Sequence, residues 1–464
     1  MNESKSALAS RRMGEMPEGK LLLTLAVPMM LSMLVQALYN IVDSIYVSHV
    51  SEDCLTALSL VFPAQNIMIG LATGTGVGVS TLISRALGRR DPDGASRVAG
   101  NALFLCLCCW FIMLVFGIFG ANWFINTQTD DPVIRQHAIS YLRIVAILSI
   151  FVYFEICVER FLQSSGLTKY SMWTQIAGAV TKIILDPFFI FGWCGLPAMG
   201  TAGAAVATII GQAVGTGLGV YFHLKYNKEV AIDLKYLAPD GKLIGEIYRI
   251  GFPSILMMCI GSVTNYTMNR ILIGFTSTAV AVYGAYFKVQ SFFFMPVFGL
   301  NNGLIPILGY NYGAGKRERI YRSLKFAVLF AAVFMVAGFI IFETIPKLLL
   351  MAFAPSQEML DIGVHAFRRI AFHFPIASFC IIAGSACQAL DKSFLSLVTS
   401  CMRQLIALIP SAYLLSLTGD VNNVWWCFLI AEFMSLVCSV FFLKVTLRDV
   451  DKKLSAHAPQ TDFE

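Results

Sequence analysis

Twelve predominantly apolar stretches follow one another along this chain, and no other feature constrains its fold as strongly. They run at 21–49, 54–84, 96–121, 134–164, 170–193, 202–226, 246–275, 278–311, 320–346, 358–389, 393–416 and 421–447. About 20 apolar residues cross the hydrocarbon core of a bilayer as a helix, and in lipid every backbone polar group must be satisfied internally. Composition agrees: 57% of the 464 residues are hydrophobic and 13% are charged, about half the charged share of a soluble domain. A single soluble core and a disordered chain are both excluded. The expected fold is an all-α membrane protein of twelve transmembrane helices. Several stretches exceed 28 residues, so bending is expected, with Pro28, Pro253, Pro296 and Pro306 as natural kink points.

Basic residues orient the chain. With the N-terminus inside, 24 of the 34 Lys and Arg fall on the inner side, in 5–20, 85–97, 169, 225–249, 316–325, 392 and 444–453, while the opposite loops carry only Lys347. The positive-inside rule therefore puts both termini in the cytoplasm. The expected organisation is a cytoplasmic segment 1–20, a first lobe 21–226, a cytoplasmic linker 227–245, a second lobe 246–447 and a cytoplasmic tail 448–464. Residues 1–20 lack a signal-peptide pattern, so the first apolar stretch is expected to be retained. All twelve cysteines except Cys54 lie within or at the edge of apolar stretches, which argues against a disulfide framework. Cys106, Cys108 and Cys109 have no His or acidic neighbours, so no metal site is expected there.

The sequence repeats on itself. Pro28 matches Pro253 and Asn40 matches Asn265 at an offset of 225, Tyr141-Leu-Arg-Ile144 matches Phe367-Arg-Arg-Ile370 at 226, and Leu87-Gly-Arg-Arg-Asp91 matches Ala314-Gly-Lys-Arg-Glu318 at 227. Gln163 pairs with Gln388, and Pro187 with Pro410. Two six-helix bundles follow; six being even, they share one orientation, related by a pseudo-twofold axis along the membrane normal. Such an architecture suits a carrier rather than a pore. The repeat is chemically unequal: Asp43 aligns with Met268, Glu159 with Gly384 and Asp186 with Ile409, so ion chemistry is expected in the first lobe.

Polar and ionisable residues inside spans are expensive and mark functional paths. Gln36, Tyr39, Asn40 and Asp43 stand at i, i+3, i+4 and i+7, on one face of the first helix, which reads as cavity lining, or else as a structural bond from Asp43 to a neighbouring helix. Lys182 and Asp186 are i, i+4 neighbours able to pair. Pro187 frees the carbonyl of residue 183, an opening suited to a cation or proton, although the pair could also be structural. Glu155, Glu159 and Gln163 follow at i+4 spacing, with Glu155 facing either Arg160 or a lipid-side neighbour. Arg270, Lys288, Arg369, His373, Arg403 and Glu432 are candidates for interhelical pairs or substrate contacts. The run Gly70-Leu-Ala-Thr-Gly-Thr-Gly-Val-Gly78 imitates a nucleotide-binding loop, but no strand precedes it, and small residues in a span read as close helix packing. Phe292-Phe293-Phe294 and Met257-Met258 suit either an apolar cavity wall or packing. No nucleophile, Walker or metalloprotease motif occurs, so neither an enzyme nor a nucleic-acid binder is indicated.

Two six-helix halves, Ala26-Val-Pro28 through Tyr39-Asn40-Ile-Val-Asp43, the Gly88-Arg-Arg-Asp91 loop, Ile-Leu-Asp186-Pro-Phe-Phe-Ile-Phe-Gly192 and Gly203-Ala-Ala-Val-Ala-Thr208 together resemble the multidrug and toxic compound extrusion (MATE) family, in its prokaryotic DinF-like and MepA-like branches, over about residues 20–447. The resemblance implies an antiporter of the bacterial inner membrane, functional as a monomer, that expels amphipathic, cationic drugs or metabolites by alternating access, with H+ or Na+ as coupling ion and no other cofactor. It implies that Asp43, Asp186 and Thr208 form the cation site, that Gln36 and Tyr39 line the cavity and that the first helix bends near Pro28. Two departures stand out. Lys182 replaces an Asn that relatives commonly use as a neutral cation ligand, and Glu159 and Arg160 replace neutral amides. Lys182 then acts as a tethered cation, pairing with Glu159 or Asp186, which favours H+ over Na+ coupling. The competing readings are a lipid-linked precursor or polysaccharide flippase of the wider superfamily and a non-transporting sensor; acids in the first lobe favour cationic or zwitterionic over phosphate-bearing cargo.

Overall fold

The computed structural model describes residues 11–48, 50–195, 197–353 and 355–456, and all regular secondary structure among them is helical. In the first half these are α1 (Glu18–Ser48), α2 (Glu52–Gly88), α3 (Pro92–Asn126), α4 (Pro132–Ile147), α5 (Ile150–Ser164), α6 (Thr168–Phe191) and α7 (Thr201–Tyr226). The second half carries α8 (Gly241–Ile273), α9 (Ser277–Gly313), α10 (Arg317–Thr344), α11 (Gln357–Ala371), α12 (Phe374–Ala389), α13 (Ser393–Ser416) and α14 (Val421–Ser455). Ten are long and apolar enough to cross a membrane alone. The number becomes twelve when α4 with α5 and α11 with α12 each count as one span, bent by 47° and 50°. These twelve coincide with the twelve apolar stretches.

The sharp bends do not fall at the prolines expected to kink. The chain stays helical through Pro28, Pro253, Pro296 and Pro306. Two π-helical turns, Phe116–Gly120 in α3 and Met402–Leu408 in α13, supply further irregularity. The second lies immediately before Pro410, where the i→i−4 ladder is interrupted anyway.

Turn chemistry shows the repeat more sharply than residue identity does. α2 ends with Asp91 N–H donating to the Ala86 carbonyl at 2.9 Å around Arg90 at φ 60°, and α9 ends with Lys316 N–H donating to the Asn311 carbonyl at 2.9 Å around Gly315 at φ 70°. The turns after α5 and α12 repeat this about Gly166 (φ 74°) and Asp391 (φ 75°). Both pairs are 225 apart, so the match of 87–91 with 314–318 at 227 is out of register by two residues: what recurs is the left-handed residue that closes each helix end, and it is Gly in one half and a polar residue in the other. After the first turn, Asp91 caps α3 by accepting from Gly94 N–H at 2.8 Å.

By internal packing the chain divides into two units, one built on Val27–Ile255 and the other on Met13–Ala26 with Leu256 onward. This differs from lobes bounded at 226 and 246, because both α1 and α8 begin in one unit and continue in the other. In the first unit the glycine run is the reason: a Cβ on Gly74 would lie 2.4 Å from Ile255, and one on Gly78 would lie 2.2 Å from the Ile247 carbonyl. α2 therefore admits the start of α8 at backbone distance, as small residues in spans allow. The segment joining α7 to α8 ends at residue 240 rather than 245 and is tied to α3: Ala231 N–H donates to Ser96 Oγ, the Tyr236 hydroxyl to Asp93, and Asp240 N–H to Asn101 Oδ1, at 2.8–2.9 Å. In the second unit, Asn311, Lys316 and Arg319 donate to the carbonyls of Met13, Gly14 and Met16, and Arg319 pairs with Glu18 at 3.4 Å. Phe293 and Phe294 pack on Phe342 and Phe374 there.

Candidate functional site

The site is built on α6 and α7, which cross at glycine on glycine. A Cβ on Gly211 would meet the Gly178 carbonyl at 2.7 Å and the Lys182 Cβ at 3.3 Å. The backbone of α7 thus backs directly onto the stem of Lys182. Its ammonium donates to Asp186 Oδ2 at 2.9 Å, one helical turn on, and to Asp43 Oδ1 of α1 at 2.5 Å. The same nitrogen lies 6.0 Å from the centroid of the Tyr39 ring, one turn before Asp43. Lys182 is 5% exposed and Asp186 1%; the Asp43 side chain, at 21%, is the open end of the group.

Charges this deep persist only when paired. Two carboxylates against one ammonium leave one net negative charge, and Asp186 Oδ1 has no hydrogen-bond partner among the described residues. Of the two partners expected for Lys182, the structure brings Asp186 and not Glu159, and it adds Asp43. Glu159 is buried among neutral donors instead, accepting from Gln175 Nε2 at 2.8 Å and Thr174 Oγ1 at 3.3 Å. Arg160 donates to Gln163 at 2.9 Å and lays its stem against Gly76. Glu155 meets neither Arg160 nor any other hydrogen-bond or ion-pair partner among the described residues.

Gln36 contacts the Tyr39 hydroxyl, as their shared face predicts. The side chain of Asn40 lies outside the described residues. Thr208 sits on α7, but its hydroxyl donates to the Ala204 carbonyl of its own helix at 2.8 Å and makes no hydrogen bond to Asp43, Lys182 or Asp186. Pro28 stands at the start of the α1 segment that belongs to the first unit. Sequence reading missed two polar groups: Tyr141 of α4, which lies within the field of Asp43, Lys182 and Tyr39, and Gln65 of α2, which donates to the Tyr141 hydroxyl at 3.0 Å. Gln65 carried a signal, being an amide inside an apolar span. Tyr141 carried none, since a tyrosine in a span reads equally well as packing.

The second unit is not devoid of buried acid, despite the missing counterparts of Asp43, Glu159 and Asp186. Glu432 of α14 is 2% exposed and pairs with Arg403 of the π-helical turn at 3.6 Å. His373 bonds the Ile370 carbonyl at 2.6 Å, and Arg369 donates to the Asn422 carbonyl.

The MatE family model matches residues 28–188 and again 253–414, once in each half. The multidrug export protein MepA of Staphylococcus saprophyticus is 24% identical over 92% of this chain and 94% of its own length, and MepA of Staphylococcus aureus is 24% identical over 93% and 95%. Among solved structures, an outward-facing multidrug resistance MATE family transporter of the MOP superfamily superposes with a TM-score of 0.91 at 24% identity, covering 97% of this chain and all of the other. A MOP superfamily transporter from Pyrococcus furiosus, described by the reverse polarity of its binding pocket, gives 0.87 at 24% identity over 96% and 98%. With both halves matched by one family model over most of the chain, and with that fold, the chain belongs to the MatE family of multi-span membrane transporters.

Proposed function

We propose that this chain is a proton-coupled antiporter of the bacterial cytoplasmic membrane that exports amphipathic, cationic small molecules, and that it works as a monomer with both termini inside. The observation that carries the reading is the ammonium of Lys182 between Asp43 and Asp186. A tethered ammonium already stands where a free Na+ would need both carboxylates, whereas a proton needs only one oxygen. The single negative charge left over matches one proton. Protonation at the open end, Asp43, loosens its hold on Lys182, and that change couples the ion to the conformation of α1, which carries both Asp43 and Tyr39. Export of drugs is supported by relatives named for multidrug export, cationic cargo by the acids of the first unit, and orientation by the one-sided Lys and Arg loops.

The test is efflux of a fluorescent cationic dye such as rhodamine 123, whose delocalised charge sits on N–H-bearing nitrogens, from liposomes, under H+ or Na+ gradients imposed separately. Efflux is expected with H+ alone and is expected to stop in Asp43→Asn. Efflux driven by Na+ alone would overturn the coupling assignment, and none under either gradient would overturn export.

A further inference from the structure

The coupling group leaves unanswered which side chain meets the charge of the cargo. Asp43 and Asp186 are both held by Lys182, and Glu159 is held by Gln175 and Thr174. Glu155 is the remaining carboxylate on the parts of α1, α5, α6 and α7 that belong to the first unit. It is partly exposed and has no hydrogen-bond or ion-pair partner among the described residues. Its position is built rather than incidental. A Cβ on Gly215 would fall 2.2 Å from Glu155 Oε1, and one on Gly178 3.3 Å from it. Two helices omit a side chain where this oxygen lies. Two buried acceptors without a hydrogen-bond partner among the described residues flank the two glycines in the chain: Gln175 Oε1 lies one turn before Gly178 and Gln212 Oε1 one turn before Gly215.

Resting on the antiporter reading above, we infer that Glu155, seated between Gly178 and Gly215, is the residue that recognises the cargo, and that the cargo is an amine or guanidinium carrying N–H groups rather than a quaternary cation. A surplus of buried acceptors is relieved only by donors, because an acceptor left unpaired costs its desolvation and a methylated nitrogen cannot supply the bond. Tyr39 offers its ring face to the apolar or aromatic part of such a molecule. Proton and cargo then occupy different carboxylates of the same unit, so that each feels the other's charge without competing for one site.

The test is equilibrium binding to the purified full-length protein of monodansylcadaverine, a primary ammonium, and of its trimethylammonium analogue, read by fluorescence. The wild type is expected to prefer the primary amine, and Glu155→Gln is expected to weaken its binding by about 10- to 100-fold, the usual worth of a charged hydrogen bond, while changing the analogue much less. Gly215→Ala, whose methyl would displace Oε1, is expected to copy that loss, and an unshifted size-exclusion profile shows that each variant is folded. Wild-type affinity in Glu155→Gln, or equal affinity of the wild type for both probes, would overturn the inference and leave proton-coupled export standing. Failure of the wild type to bind either probe would overturn the cationic-cargo reading, and the inference with it.

Discussion

Replacing Lys182 by Asn tests the tethered cation most directly. The substitution removes the charge that neutralises Asp186, which is 1% exposed, and Asp43, whose side chain is 21% exposed. Breaking a buried ion pair by deleting one partner costs about 3–5 kcal/mol, because the remaining charge is stranded. Water reaching Asp43 puts this case near the lower end, at about 3 kcal/mol. The shorter amide leaves space between the carboxylates and supplies an oxygen, so a free Na+ can enter. A cation that binds only the folded form at a hundred times its Kd returns about 2.7 kcal/mol. The variant should therefore be destabilised in choline chloride and regain most of the loss in NaCl, whereas the wild type should unfold alike in both salts. Thermal unfolding of both proteins at fixed ionic strength reads this out, and dye efflux should acquire a Na+ dependence in parallel. Wild-type stabilisation by Na+ equal to that of the variant, or a variant indifferent to Na+, would refute the reasoning.

Other expectations follow from packing and orientation. Gly211→Ala places a methyl 2.7 Å from the Gly178 carbonyl and should cost about 1–3 kcal/mol through overpacking, whereas Gly217→Ala, with nothing within 4 Å, should show no loss in the same unfolding assay. Arg319→Ala removes the donors to Met13 and Met16 and the partner of Glu18, so limited proteolysis should cleave before residue 20 faster than in the wild type, with the rest of the digestion pattern unchanged. Asn101→Ala deprives Asp240 N–H of its acceptor and should cost about 1 kcal/mol, read as a lowered unfolding midpoint. Single cysteines at Lys235 and at Asp130 should react with a membrane-impermeant maleimide from opposite sides of the membrane; labelling from one side would refute the orientation.

The spans were legible because lipid is an unforgiving solvent: each crossing needs an apolar run, and the twelve runs coincide with the ten helices long enough to cross and the two bent pairs. The fold of each half was less legible at its joints. The bends between α4 and α5 and between α11 and α12 fall within single apolar stretches, away from the expected prolines, since hydrophobicity does not record direction. The repeat is visible in the sequence, but similar residue identities place the α2 and α9 ends two residues out of register, because what recurs there is a left-handed backbone that Arg90 and Gly315 both adopt.

At the site, the i, i+4 partnership of Lys182 and Asp186 is a property of any helix carrying that sequence, and the rarity of charge in a span marked Asp43, Asp186 and Glu159 as residues to explain. Which acid Lys182 holds, which donors satisfy Glu159, and that Glu155 is left without a partner between two glycines were decided by the tertiary structure alone. Periodicity specifies which residues share a face of one helix, but the pairing of charges between helices depends on how closely their backbones approach. Lys182 with Asp43 and Glu159 with Gln175 are pairings between residues far apart in the chain, for which local sequence carries no ruler.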